Sequence, residues 1–299
     1  MRWVGAPLPP LPDRTVRDWL RIMRRGIPAT AVVFGGLAVL LIVRLIERPL
    51  FGLRRPVTPW ITVGVCRTAL RLMGLRRRRV GGPALRSVGA WMANHASWID
   101  IFALNAEAPI YFVAKAEVAG WAGIGWLARA TGTVFVVRDP REAARQRDLL
   151  HARLRAGHVL CVFPEGTSTD GRRVLAFKPT LFAAFFGPGL PVDLAVQPVT
   201  VAYHAPGGAR PDIYGWWGDR GFGEHLLAVL AQPRRGLVEL RHHAPLPVAE
   251  AADRKALART AEAAVRRGLT ASGIPLASDR EAAPPGRRTP IDPSAARSR

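Results

Sequence analysis

The stretch Asn94-His95-Ala96-Ser97-Trp98-Ile99-Asp100 sets one histidine five residues ahead of one carboxylate, directly after the apolar run 88–93. An imidazole takes a proton from an alcohol well only when its other ring nitrogen is held by an acceptor. His95 therefore reads as a general base, with Asp100 as the acid that orients it and stabilises its protonated form. Ser97, followed three residues later by Asp100, fits a helix capping box, which would fold the imidazole back onto the carboxylate. A histidine and an aspartate at this spacing also suit a purely structural pair, so the rest of the chain has to decide.

Three further segments bear on it. In Gly132-Thr133-Val134-Phe135-Val136-Val137-Arg138 a strand pattern ends in an arginine just before Asp139-Pro140, which suits a helix start with Asp139 as N-cap. Strand ends are where α/β sheets bind ligands. In Phe163-Pro164-Glu165-Gly166-Thr167-Ser168-Thr169-Asp170-Gly171 a buried strand opens into a loop rich in glycine and hydroxyls. Gly166 permits close backbone approach, the amides and hydroxyls could cradle a polar group, and Lys178 beyond the loop offers a point charge. In Val196-Gln197-Pro198-Val199-Thr200 a proline interrupts a strand, which marks an edge, a bulge or a bend facing a site.

The elements that would carry these residues alternate. Strands are expected at 87–93, 110–113, 133–137, 158–163, 193–201 and 237–241. Helices are expected near 99–106, 121–129, 140–156, 180–186, 223–231 and 249–269. This pattern predicts an α/β domain with a mostly parallel central sheet flanked by helices, spanning 81–275. Residues 276–299, rich in Pro, Arg, Ser and Ala, read as a disordered basic tail, and the proline-rich start as a flexible lead-in. Cys66 and Cys161 lack metal spacing. Cys161 sits in a strand-like run and reads as a small buried hydrophobe. A Gly-x-Ser-x-Gly elbow is absent from the sequence, which argues against a serine hydrolase.

The charge is uneven. Of a net +21, residues 1–90 hold 17 Arg against Asp13, Asp18 and Glu47, a net of +14. A basic chain can bind nucleic acid or anionic lipid. Here the basic region also contains 26–43, eighteen uncharged and mostly apolar residues, which favours lipid and leaves nucleic acid out. Such a run would just cross a bilayer core of about 30 Å. The arginines on both flanks do not choose an orientation. Residues 59–75, interrupted by Arg67 and Arg71, read as an interfacial amphipathic helix, so 1–80 is expected to be a two-helix membrane anchor. It could be a true span or be embedded from one face only. The run Arg76-Arg77-Arg78-Arg79 beside it would attract anionic headgroups.

Together the four segments, in order over 94–199, resemble the glycerolipid acyltransferase family, which is known by its N-H-x-x-x-x-D, G-x-x-F-x-x-R, F-P-E-G-T-R-S and V-x-P-V blocks. Ala114-Lys115-Ala116-Glu117 is similar to the family's basic segment between the first two blocks. The resemblance implies a membrane-bound O-acyltransferase without cofactor or metal. His95 would take the proton of an acceptor hydroxyl, which attacks the thioester of acyl-CoA or acyl-carrier protein, and Asp100 would hold His95. Lys115, Arg138, Glu165, Gly166, Thr167, Ser168 and Lys178 would bind the acceptor's polar head. It implies a catalytic domain on the cytoplasmic side of the inner membrane, making phosphatidic acid from 1-acyl-sn-glycerol-3-phosphate. One departure matters: Ser168 stands where the family's third block has arginine, which removes a bidentate phosphate partner. Arg172, Arg173 or Lys178 could replace it, or the acceptor could carry no phosphate. The alternative acceptor is lyso-ornithine lipid, to whose branch Gln197-Pro198 and Trp216-Trp217-Gly218-Asp219 look similar. A reading from another class, a non-catalytic anionic-lipid-binding protein, would tolerate changes at His95, Asp100 and Glu165.

Overall fold

A computed structural model describes residues 3, 8–86, 88–121, 123–137 and 139–277. The first helix, α1 (Val16–Phe51), runs well past both ends of the apolar segment. Thr15 and Asp18 close a capping box at its start. At 36 residues it is about 54 Å long by helical rise, longer than a bilayer core is thick. Its outer face stays bare: Ile27 and Ile42 are 63% exposed and Leu45 78%. Contiguous apolar surface on this scale marks a membrane or partner interface. Among the described residues α1 is the one helix long and apolar enough to cross a membrane. Its neighbour α2 (Thr58–Leu72) lies against it, and Gly36 permits the approach, since a Cβ there would stand 2.2 Å from Val65.

Helix α2 buries Val63, Cys66, Ala69 and Leu70, and it packs on α3 (Ile99–Asn105) as well as on α1. The arginine run that follows forms strand β1 (Leu75–Gly81), which sequence reasoning read as a charge cluster. The next strand, β2 (Gly89–Ala93), is buried throughout. β3 (Tyr111–Lys115), α4 (Ile124–Thr131) and β4 (Val134–Val136) follow, then α5 (Ala143–Arg155) and β5 (Val159–Val162). A 3₁₀ turn over Pro140–Glu142 precedes α5, so that helix starts later than expected, although Asp139 does accept the N–H of Arg141 at 2.9 Å. The expected helix at 180–186 is a 3₁₀ segment, Pro179–Phe185. The chain closes with β6 (Ala195–His204), α6 (Phe222–Ala231), β7 (Gly236–His242), β8 (Leu246–Pro247) and α7 (Arg254–Ala271).

The strands form one sheet in the order β1-β7-β6-β2-β5-β3-β4, with β8 beside β6. All pairings are parallel except those of β7 and β8 with β6. A sheet of this kind is covered on both faces. Alternation along β2 shows how: Trp91 and Ala93 face the side of α2, α3 and α6, while Ala90 and Met92 face α5, α7 and the 179–185 turn. Each fully buried large apolar side chain contributes about 1.5–3 kcal/mol, so Trp91, Leu160 and Leu240 anchor the layers.

Two expectations change. Pro198 lies not on an edge but inside β6, opposite Met92 of β2. On the other side of β6, β8 pairs only Ala195 and Val196, and β7 begins at Val199. Gln197 and Pro198 thus occupy a gap in the ladder, where no N–H is required of the proline. The Gln197 amide fills the gap, accepting from Leu85 N–H and donating to the carbonyls of Pro83 and His243. The lead-in is also packed where it is described, with Leu11 against the core and the Pro9 carbonyl accepting from Arg220. Of the expected tail, 278–299 lies outside the described residues.

Candidate active site

The candidate residues gather at the carboxyl ends of three adjacent parallel strands, β6, β2 and β5. His95 lies just past β2, and Asp100 in the first turn of α3. The imidazole Nδ1 is 2.7 Å from Asp100 Oδ2. That oxygen also accepts the backbone N–H groups of Ala96 at 2.8 Å and Ser97 at 3.0 Å. Asp100 thus reaches back as a capping residue should, but Ser97 does not complete the box. The cap position is Trp98, and the buried Ser97 hydroxyl makes no hydrogen bond among the described residues. Asp100 is fully buried, whereas the His95 side chain is 19% exposed. With Nδ1–H given to the carboxylate, the Nε2 lone pair is the one left for an incoming hydroxyl.

Several groups to which sequence reasoning gave no role hold this pair. Tyr203, on β6, donates its hydroxyl to Asp100 Oδ1 at 2.6 Å. Burial, and then the charge of Asp100, raises the Tyr203 pKa well above the ordinary tyrosine value, so the phenol remains a donor. Phe163, at the exit of β5, stacks on the His95 ring, with centroids 4.0 Å apart, and Phe112 stacks behind it. Asn94 exchanges two side-chain hydrogen bonds with the backbone of Val201, fixing the end of β2 to β6. Trp98 donates its indole N–H to His225 Nδ1 at 2.8 Å, while His225 Nε2 sits 3.1 Å from the Ile213 carbonyl. The only advance signal for Tyr203 was its place two residues beyond Val201 on the same face of β6.

Glu165 takes a different part from the one expected. It is 1% exposed. Its Oε1 accepts the N–H of His95 at 2.7 Å and its Oε2 that of Leu175 at 2.8 Å. The carboxylate therefore braces the His95 backbone from below and does not face an acceptor. Burial pushes its pKa up to about 8, against the lowering effect of the two amides. The loop above it is tied down as well. Thr169 bonds the His95 carbonyl through both N–H and hydroxyl, and Trp216 N–H bonds the Ala96 carbonyl.

The remaining expected residues scatter more. Gly166 has φ +72° and its N–H bonds the Phe163 carbonyl, which turns the loop sharply. Thr167 and Ser168 are half-buried, and the Thr167 hydroxyl accepts the N–H of Trp3 at 3.2 Å. Lys115 ends β3, at the same end of the sheet as this loop. Lys178 is exposed, its backbone N–H on the Pro164 carbonyl. Arg138 lies outside the described residues. Of the arginines considered as replacements at Ser168, Arg173 is ion-paired to Asp170 at 2.9 Å, and Arg172 donates its Nε to the Pro275 carbonyl at 2.9 Å.

A partly exposed base, an oriented and buried carboxylate behind it, and an apolar surface on the same molecule suit proton abstraction from an amphiphilic alcohol. Comparison with known proteins agrees. Residues 84–202 match the family described as Acyltransferase. A lyso-ornithine lipid O-acyltransferase of Rhodobacter capsulatus is 52% identical over 89% of this chain and 96% of its own. A 1-acyl-sn-glycerol-3-phosphate acyltransferase of Neisseria gonorrhoeae is 36% identical over 33% of this chain and 40% of its own. The crystal structure of the 1-acyl-sn-glycerophosphate acyltransferase of Thermotoga maritima superposes with TM-score 0.61 at 21% identity, covering 88% of this chain and 99% of that one, a likeness of fold.

Proposed function

Because the chain belongs to the acyltransferase family and is a lysolipid acyltransferase, we propose that its acceptor is lyso-ornithine lipid rather than 1-acyl-sn-glycerol-3-phosphate. The observation that carries this is the 52% identity, over nearly the whole of both chains, to an enzyme named for that acceptor. The similarity to the phosphate-acceptor enzyme of Neisseria gonorrhoeae covers a third of this chain. The geometry supports the same choice. Ser168 offers a hydroxyl where a guanidinium would grip a phosphate, and Arg173 is ion-paired to Asp170. An acceptor with a zwitterionic amino-acid head does not require that grip.

The reaction follows from the pair already described. His95 Nε2 removes the proton of the lysolipid hydroxyl, whose oxygen attacks the thioester carbonyl of acyl-CoA or acyl-carrier protein. The C–O ester bond forms, the C–S bond breaks, and the thiolate leaves with the proton that His95 has carried. Asp100, held by Tyr203 and two amides, stabilises the imidazolium between those steps. The exposed apolar face of α1, with Trp60 and Trp126, seats the domain in the cytoplasmic leaflet of the inner membrane, so the acyl chains reach the site without crossing water.

The test offers one labelled acyl donor to the purified full-length protein, with lyso-ornithine lipid and lysophosphatidate in parallel. Transfer to lyso-ornithine lipid is expected to dominate. Faster acylation of lysophosphatidate would overturn the reading.

A further inference from the structure

A second basic site lies apart from the catalytic one. A cavity of ≈ 420 Å³ opens between α2, β1 and the entry to β7, lined by Arg67, Arg71, Arg76, Arg77 and Arg235 over a floor of Leu70 and Leu75. Both leucines are 2% exposed, so the floor is apolar and fixed. Strand β1 is three strands from β2 in the sheet, roughly 14 Å at the usual spacing, and no cavity residue belongs to the four motifs.

Two of the five guanidinium groups are held in place. Arg67 Nε donates to the Ala106 carbonyl at 2.7 Å, and Arg77 is ion-paired to Glu107. Among the described residues, Arg71, Arg76 and Arg235 have no carboxylate within ion-pair distance. Burial, and then the like charges of Arg67, Arg71 and Arg79 working against Glu107, lowers the Arg77 pKa, as expected where cations crowd and an anion is wanted. The depth of the cavity is also defined. Arg25, the last residue before the apolar run of α1, lies with its guanidinium carbon 3.0 Å from where a Cβ on Gly74 would stand, and Gly74 precedes the Leu75 floor. The cavity is therefore level with the start of the uncharged run 26–43, where the flanking arginines begin.

We propose that this cavity binds the phosphate-bearing headgroup of an anionic membrane phospholipid, with Arg71, Arg76 and Arg235 as its charge partners. The lipid is a seat for the enzyme and not its substrate. A volume of this size fits one headgroup, not a protein surface, and planar guanidinium groups pair with phosphate oxygens two at a time.

The experiment measures co-sedimentation of the full-length protein with phosphatidylcholine vesicles and with vesicles in which about a third of the lipid is phosphatidylglycerol. The variant Arg71→Gln/Arg76→Gln/Arg235→Gln is compared with Arg254→Gln/Arg259→Gln/Arg267→Gln on α7, which removes the same charge elsewhere. Circular dichroism confirms that both fold. The cavity variant is expected to lose the gain conferred by phosphatidylglycerol, roughly tenfold or more, while the α7 variant keeps it to within about twofold. Equal losses in the two variants, or none in the first, would overturn the proposal. Soluble dihexanoyl phosphatidylglycerol should displace the wild-type protein from the anionic vesicles. Displacement by inorganic phosphate at the same concentration would show a free-phosphate site and overturn the lipid assignment.

Discussion

The ring of Phe163 lies flat against the imidazole of His95, 4.0 Å between centroids and 16° from parallel. Two elements far apart in sequence thus meet at the base itself: Asp100 fixes the ring at its edge and Phe163 at its face. Replacing Phe163 with leucine keeps the apolar volume but frees the ring to turn about its bond. A misplaced base is expensive, so kcat is expected to fall about ten- to a hundredfold with KM held within about twofold. Steady-state kinetics on lyso-ornithine lipid measure both.

His95→Ala is expected to lower acyl transfer by at least about a thousandfold while vesicle binding persists. Retained turnover would remove His95 from the mechanism.

Asp100→Asn leaves one side-chain oxygen to serve His95 Nδ1, two backbone amides and Tyr203. The imidazole then loses its ionised acceptor, and a loss of about ten-thousandfold in kcat follows by analogy with serine triads. Tyr203→Phe is milder. It strips one donor from a buried carboxylate and is expected to cost about 1–3 kcal/mol of stability, read as a shifted urea midpoint.

The buried ionisable groups predict how stability varies with pH. Burial lowers the pKa of His158, His225 and His242 to about 4. As pH falls from about 6.5, the unfolded histidines bind protons that the folded ones refuse, so stability drops toward pH 4. Glu165 acts in the opposite sense. Its folded pKa is about 8 against an ordinary value of 4.5, so the unfolded chain releases a proton that the folded one keeps, and stability drops as pH rises through that window. Three histidines outweigh one glutamate below about pH 6.5, and from there to about pH 8 the glutamate sets the slope, before the buried thiols of Cys66 and Cys161 join it. A stability maximum near that pH is expected in urea unfolding, and Glu165→Gln should flatten the alkaline limb. An alkaline limb unchanged in that variant would assign the slope to other groups.

Ser168→Arg restores the guanidinium of the third motif. It is expected to raise the ratio of lysophosphatidate to lyso-ornithine lipid turnover by about ten- to a hundredfold, the effect of one charge-assisted hydrogen bond or a bidentate pair. A competition assay with both lysolipids reads the ratio directly.

What the sequence made legible was local. His95 and Asp100 are five residues apart, and a helix start between them was enough to predict their contact, although Ser97 does not supply the cap. The alternation of Trp91 and Met92 between the two faces of β2 likewise follows from period-two chemistry. What stayed hidden depends on chain returning from a distance. Tyr203 comes 103 residues after Asp100, and no motif ties the two together. Glu165 carried the right motif, but its partners are the amides of residues 95 and 175, which only the folded loop brings within reach. The four arginines of β1 hid a strand because their charge dominated the pattern. In the fold, Arg77 and Arg79 reach Glu107, and Arg78 reaches Glu239, so three of the four have carboxylate partners instead of standing as a loose cluster.

Strand β1 comes from the same stretch of chain as the apolar helices, yet it pairs residue for residue with β7, Leu75 opposite Gly236 through Gly81 opposite His242. Membrane attachment and catalysis are therefore not modules that trimming could separate. A protein shortened to begin after residue 81 would leave β7 with seven unpaired rungs, and an open edge of that length invites other chains to add to it. The two helices share a core with β2, α3 and α6, and the arginine strand behind them belongs to the catalytic sheet, so both have to stay with it.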